Sequence, residues 1–200
     1  MNRKGEISNN ILAILLAVAI VIGLVGIFLP RQIGGKVTDT GTLSVTITGY
    51  TAINFTDDVI NWGSGWVTEG YSSCTLDTEG TNGADCTSFT TQNNGFTIEN
   101  IGNTNVTLQL ATGKNATVLL GGTNPSYQYK MTVNEPNACI GITPTTYTDV
   151  NATSPGTTVC NPLQFVDSSD AVDVDVRIVI PSDALPGARS DTFTATATAA

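Results

Sequence analysis

Residues 11–29 read ILAILLAVAIVIGLVGIFL, nineteen positions without a polar side chain, fourteen of them Ile, Leu, Val or Phe and five Ala or Gly. As a helix this run is about 28 Å long, close to the hydrocarbon thickness of a bilayer. At roughly −0.3 to −0.6 kcal/mol per large apolar residue, with no charge in opposition, its insertion into a membrane is favourable. The pattern therefore predicts a hydrophobic helix over 6–30. Pro30 and the pair Gly34 and Gly35 break the helical path, and residues 31–41 read as a linker.

Beyond the linker the period of the pattern changes. In TLSVTITGY, Leu43, Val45 and Ile47 alternate with Thr and Ser, which predicts a strand with one buried face. The same alternation recurs at Val106, Leu108 and Leu110; at Tyr127, Tyr129, Met131 and Val133; at Val172, Val174, Val176, Ile178 and Ile180; and at Phe193, Ala195 and Ala197. Short strands separated by turn residues, with no amphipathic helix of useful length, predict a mainly β chain whose residues 42–200 form one antiparallel β-sandwich. The stretch VDVDVRIVIPSDALPGARSDTFTATAT resembles the closing hairpin of immunoglobulin-like surface domains. That resemblance implies a strand ending at Ile-Pro, a Pro-Gly turn and a final strand completing the sheet, and it implies no activity.

Charge and cysteine content narrow the setting. After residue 36 four Lys or Arg stand against sixteen acids, a balance of −12 that repels phosphate backbones and argues against a nucleic-acid partner. Cys74, Cys86, Cys139 and Cys160 are an even number without metal-ligand spacing, so two disulfides are expected. The spacing favours the local pairs Cys74 with Cys86 and Cys139 with Cys160, although four cysteines allow three connectivities. Each bridge would contribute roughly 3 kcal/mol in the loop-entropy account. Four acceptor sequons, at Asn54, Asn105, Asn115 and Asn151, fit a glycosylated extracytoplasmic surface.

Two further groups of residues are candidates for binding. Trp62 and Trp66, four apart with Gly63 and Gly65 between them, would stack on sugar rings if exposed; the packing alternative puts one in the core and the other over a disulfide loop. Asp170, Asp173 and Asp175 are weak calcium candidates, since Ca²⁺ takes several oxygen ligands, but the spacing matches no ligand loop. Asp173 and Asp175 alternate with valines and so share a solvent face, where a cation or Arg177 would offset their repulsion. No resident metal or other cofactor is expected.

The chain contains no His, which excludes a Ser-His-Asp site and removes the commonest general base. No phosphate-cradling glycine loop joins a strand to a helix, and adjacent surface acids do not face one another across a cleft. These observations argue against an enzyme.

The segment ahead of the hydrophobic helix, RKGEISNN, offers a basic pair, then Gly5, then a short polar run. With the long apolar stretch behind it, it resembles the class III signal peptides of type IV pilins and archaeal pilin-like proteins. The resemblance implies cleavage between Gly5 and Glu6, with residues 1–5 as leader, and retention of the helix as a filament core. Many bacterial members have Glu at the fifth mature position, where this chain has Asn10. By contrast, IFLPRQIGGKV provides no small-x-small site that would remove the helix as an ordinary signal peptide.

Together these readings lead to the expectation of a cell-surface structural protein, a pilin-like filament subunit with an adhesive role. Its partners would be the membrane, copies of itself through the helix, and surface glycans. The alternative is a non-polymerising immunoglobulin-like binding or envelope module held by an uncleaved N-terminal helix.

Overall fold

The computed structural model describes residue 10, residues 13–20 and residues 40–200, and the chain divides into two units, Met1–Thr46 and Ile47–Ala200. Within the first, residues 13–20 are helical, and Ile14, Leu15, Leu16, Val18 and Ile20 are each about half exposed or more. The Gly5–Glu6 bond, the remainder of the hydrophobic stretch and linker residues 31–39 lie outside the described residues. No helix among the described residues is long and apolar enough to cross a membrane.

The second unit is mainly β, and all its strand pairings are antiparallel. Its strands are β1 (Asn54–Asp57), β2 (Trp66–Val67), β3 (Ser73–Asp77), β4 (Cys86–Thr87), β5 (Phe96–Glu99), β6 (Val106–Thr112), β7 (Ser126–Val133), β8 (Thr148–Asp149), β9 (Thr157–Leu163), β10 (Ala171–Pro181) and β11 (Phe193–Ala199). The larger sheet has the order β1-β5-β10-β7-β8, with β3 also on β10; the smaller is β11-β6-β9, and β2 pairs with β4 alone.

β10 is the central strand. β7 runs along one of its edges from Val172 to Val179, while β5 takes Ala171–Val174 and β3 takes Arg177–Pro181 on the other. Its alternation puts Val172, Val174, Val176 and Ile178 inside and leaves Asp173, Asp175 and Arg177 on the outer face. The first two valines join a core made by both sheets: Ile98, Tyr129 and Met131 from the larger, Val106, Leu108, Leu110, Val159 and Leu163 from the smaller. The next two, Val176 and Ile178, pack with Cys74, Leu76, Tyr127, Leu119 and Leu120 in a second cluster. Leu119 and Leu120 come from the end of a single-turn helix, Ala116–Leu119, which Asn115 caps by accepting from the Val118 amide at 2.9 Å.

A buried amide ties the two sheets together at one end. Asn100, 1% exposed, donates through Nδ2 to the carbonyls of Thr104 and Gln164 at 2.9 Å each, and its Oδ1 accepts from the Gly102 amide at 3.1 Å. One side chain thus holds the β5–β6 connection against the end of β9. Two disulfides, Cys74–Cys86 and Cys139–Cys160, fasten loop-rich segments to β3 and β9.

Two expectations need correction. Leu43, Val45 and Ile47 form no strand: residues 40–53 belong to no sheet, and these three side chains are 94%, 80% and 82% exposed. Alternation prepares one apolar face, but a strand also needs a neighbouring edge to receive its hydrogen bonds. The stretch from Val172 to Thr198 does not close as a hairpin either. Both edges of β10 are already taken, so the chain turns after Pro181 and carries β11 to the other sheet, beside β6.

Replacing Asn100 by Ala leaves buried carbonyls without a donor. The expected cost is about 3 kcal/mol of unfolding free energy, measured by denaturant unfolding; a change below about 0.5 kcal/mol would remove Asn100 from this role.

Candidate functional site

The second unit contains an open cleft of about 1050 Å³. Its floor is the second apolar cluster, including Leu76, Leu119, Tyr127 and Ile178. One wall is the stretch from Val59 to Val67 and the other is the crossing segment after Pro181, with Leu185 and Pro186.

Both tryptophans reach this cleft, in different states. Trp62 is partly buried against the second cluster, and its indole N–H donates to the Asp77 carbonyl at 3.4 Å. Trp66, in β2 opposite Thr87, is 60% exposed. Its neighbour Val67 lies opposite Cys86, so β2 and β4 place Trp66 next to the Cys74–Cys86 bridge.

The glycines between the tryptophans have separate reasons. Gly63 has φ +68°, a left-handed conformation that side chains disfavour, and Gly65 passes so close that a Cβ would lie 2.4 Å from the Thr87 carbonyl oxygen and 2.6 Å from the Phe89 ring. A tight Gly-rich loop is therefore what lets two large rings flank one opening.

The polar groups around the cleft hold its walls. Arg189 donates to the Leu185 carbonyl at 3.0 Å, the Asp191 carboxylate accepts from the Lys114 amide at 3.1 Å, and the Lys114 ammonium donates to the Ser190 carbonyl. Burial raises the Tyr127 phenol above its ordinary range, and the Asp191 charge adds to that, so the hydroxyl stays protonated as a donor. An apolar opening with exposed aromatic surface suits an apolar or ring-shaped ligand.

The acidic candidates do not converge. Asp173 accepts from Thr97 at 2.7 Å and from Asn134 at 3.0 Å. Asp175 accepts from Thr78 at 3.1 Å and lies 3.9 Å from the Lys130 ammonium. Lys130 in turn pairs with Glu79 at 2.6 Å, and Tyr147 donates to the other Glu79 oxygen at 3.1 Å. The hydrogen bond from Lys130 is the main cause holding the Glu79 carboxyl below its usual range, whereas burial raises that of Asp175. Arg177, the cation anticipated beside these acids, instead stacks over the Tyr147 ring at 4.0 Å and donates to Gln128 at 2.9 Å. Asp170 belongs to neither arrangement; it is buried just before β10, and its backbone amide donates to Glu135 at 2.9 Å. No group of three His, Cys, Asp or Glu among the described residues is placed to hold a metal.

The four sequon asparagines sit differently as well. Asn54, opening β1, and Asn115 are exposed. Asn105 and Asn151 are partly buried, and the Asn151 amide donates to Thr157 at 3.3 Å.

Burial first, and then the hydrogen bond and charge of Glu135, push the Asp170 carboxyl up to about 6. Because the folded value lies above the unfolded one, Asp170 stabilises the fold fully below about 4, and that contribution is lost as pH rises through about 6. Thermal unfolding is expected to show higher stability at pH 5 than at pH 7, and Asp170→Asn is expected to flatten the difference. An unchanged slope in the variant would contradict the assignment.

No protein-family model, curated protein or solved structure matches this chain.

Proposed function

We propose that the chain is an exported cell-surface structural protein, a pilin-like filament subunit. The observation that carries this reading is the helix at residues 13–20, whose large apolar side chains stand uncovered. An apolar helix in water is costly, so it requires lipid or other helices around it. In the membrane lipid covers it; in a filament, neighbouring copies of the same helix do, and the transfer between them never passes through water. Cleavage between Gly5 and Glu6 releases the retained helix for assembly.

The β unit, with its two disulfides, forms the outer layer. Disulfides persist in oxidising compartments, which agrees with an extracytoplasmic location. Two antiparallel sheets sharing one core favour an immunoglobulin-like ancestry for this unit, while the crossing from β10 to β11 departs from that pattern. The exposed asparagines Asn54 and Asn115 are the sequon positions best suited to carry glycan.

A second reading is supported by the cleft: a tethered, non-polymerising binding module in which Trp66 stacks on a sugar ring. Under that reading the helix serves only as an anchor.

The two separate on Ile14→Asp. In a pilin-like subunit the charge should abolish sheared filaments even in the fraction of protein that still reaches the membrane. The measurement is electron microscopy of the sheared fraction beside immunoblots of membranes. Filaments of normal yield from the variant would overturn the proposal.

A further inference from the structure

The unpaired segment 42–48 has a counterpart elsewhere in the molecule. It reads TLSVTIT, with Leu43, Val45 and Ile47 exposed at two-residue spacing and no charge among its seven residues. β11 reads FTATATA, again seven residues without charge, and β6 occupies only one of its edges. The pairing of β11 with β6 runs from Phe193 to Ala199 without a bulge. Among the described residues no strand pairs with the other edge of β11, and the strand itself has no Lys, no Pro and no bulge to blunt it.

The inner face of β11 is also incomplete. Phe193, Ala195 and Ala197 pack against the main core but remain only partly buried. Small alanines at the margin of a core leave room for larger side chains from the next strand. Leu43, Val45 and Ile47 match that requirement in number, spacing and chemistry, while the threonines and serine between them would face the β11 threonines on the outside. In a chain of net charge −9, copies repel one another over most of their surface, and these two segments are stretches where that repulsion is absent.

We propose that residues 42–48 of one copy add as a strand to the open β11 edge of a second copy. The inference rests on the filament reading and names a contact for it beyond the helix. Residues 42–48 belong to no strand, and β11 pairs along one edge, with β6. Donor and acceptor are different surfaces, so each copy can give a strand to one neighbour and receive one from another. Such a heterologous contact propagates into an open chain of subunits rather than closing as a dimer. Strand addition to an exposed edge draws on main-chain hydrogen bonds for affinity and on alternate side chains for register. The anchor of the donor is fixed: the Asn103 amide group donates to the Thr48 carbonyl at 3.0 Å, and the Tyr50 amide donates to Asn103 Oδ1 at 2.5 Å.

The test uses full-length chains in native filaments. Copies carrying Thr46→Cys with one affinity tag are co-expressed with copies carrying Thr196→Cys or Thr194→Cys with another, the two acceptor positions covering parallel and antiparallel addition. Mild oxidation should yield cross-linked species bearing both tags, and Val45→Asp in the donor should reduce them at least tenfold. Because Val45 is exposed, its substitution should leave thermal unfolding of the subunit unchanged. A chain carrying both cysteines tests self-closure: a concentration-independent bridge confined to one chain would overturn the proposal. Filaments without any two-tag product would overturn it while leaving the filament reading intact, and absence of both filaments and product would count against both.

Discussion

The β unit depends on one strand having both of its edges and both of its faces committed. β10 gives one edge to β7 and divides the other between β5 and β3, so three partners meet on it. Its inner valines belong to two separate apolar clusters, the first shared with the smaller sheet and the second forming the floor of the cleft. Its outer residues Asp173, Asp175 and Arg177 would repel or remain unpaired without the Thr, Asn, Lys and Tyr side chains that neighbouring segments bring to them. A charge on the inner face of β10 would therefore disturb the core, the cleft and the outer network together.

That commitment also explains the path of the chain. With no free edge beside β10, the last strand has to join the other sheet, and the eleven residues from Ser182 to Thr192 that make the crossing become a wall of the cleft. The site is thus a consequence of topology: a Gly-rich loop with two tryptophans on one side and a crossing segment on the other, over an apolar floor. Crossing also leaves β11 as an edge strand with an exposed outer side.

Where hydrophobic alternation was long and strict, at β6, β7, β10 and β11, the strands were legible in the sequence, because a two-residue period has one structural solution when one face is buried. β3, β5 and β9 lack such a pattern. β3 and β5 offer few alternating positions, and β9 carries Asn161 and Pro162 and pairs with shifts in register. Residues 42–48 have a clear short pattern but join no sheet, since pairing is non-local while alternation is local. In the site, the Trp62–Trp66 loop could be read as an aromatic surface, but Leu185 and Arg189 lie more than a hundred residues away and nothing in the sequence assigns them to it. The acidic residues between Asp170 and Asp175 look like one cluster by position; the pleat of β10 and the buried setting of Asp170 separate them.

A filament role requires that the apolar helix be kept after the residues in front of it are removed. Intact-mass analysis of the native protein measures this directly. A pilin-like subunit should have the mass of a chain beginning at Glu6, with allowance for glycan and for two disulfides. A membrane-bound monomer that still begins at Met1, or a product beginning after the hydrophobic stretch, would contradict it.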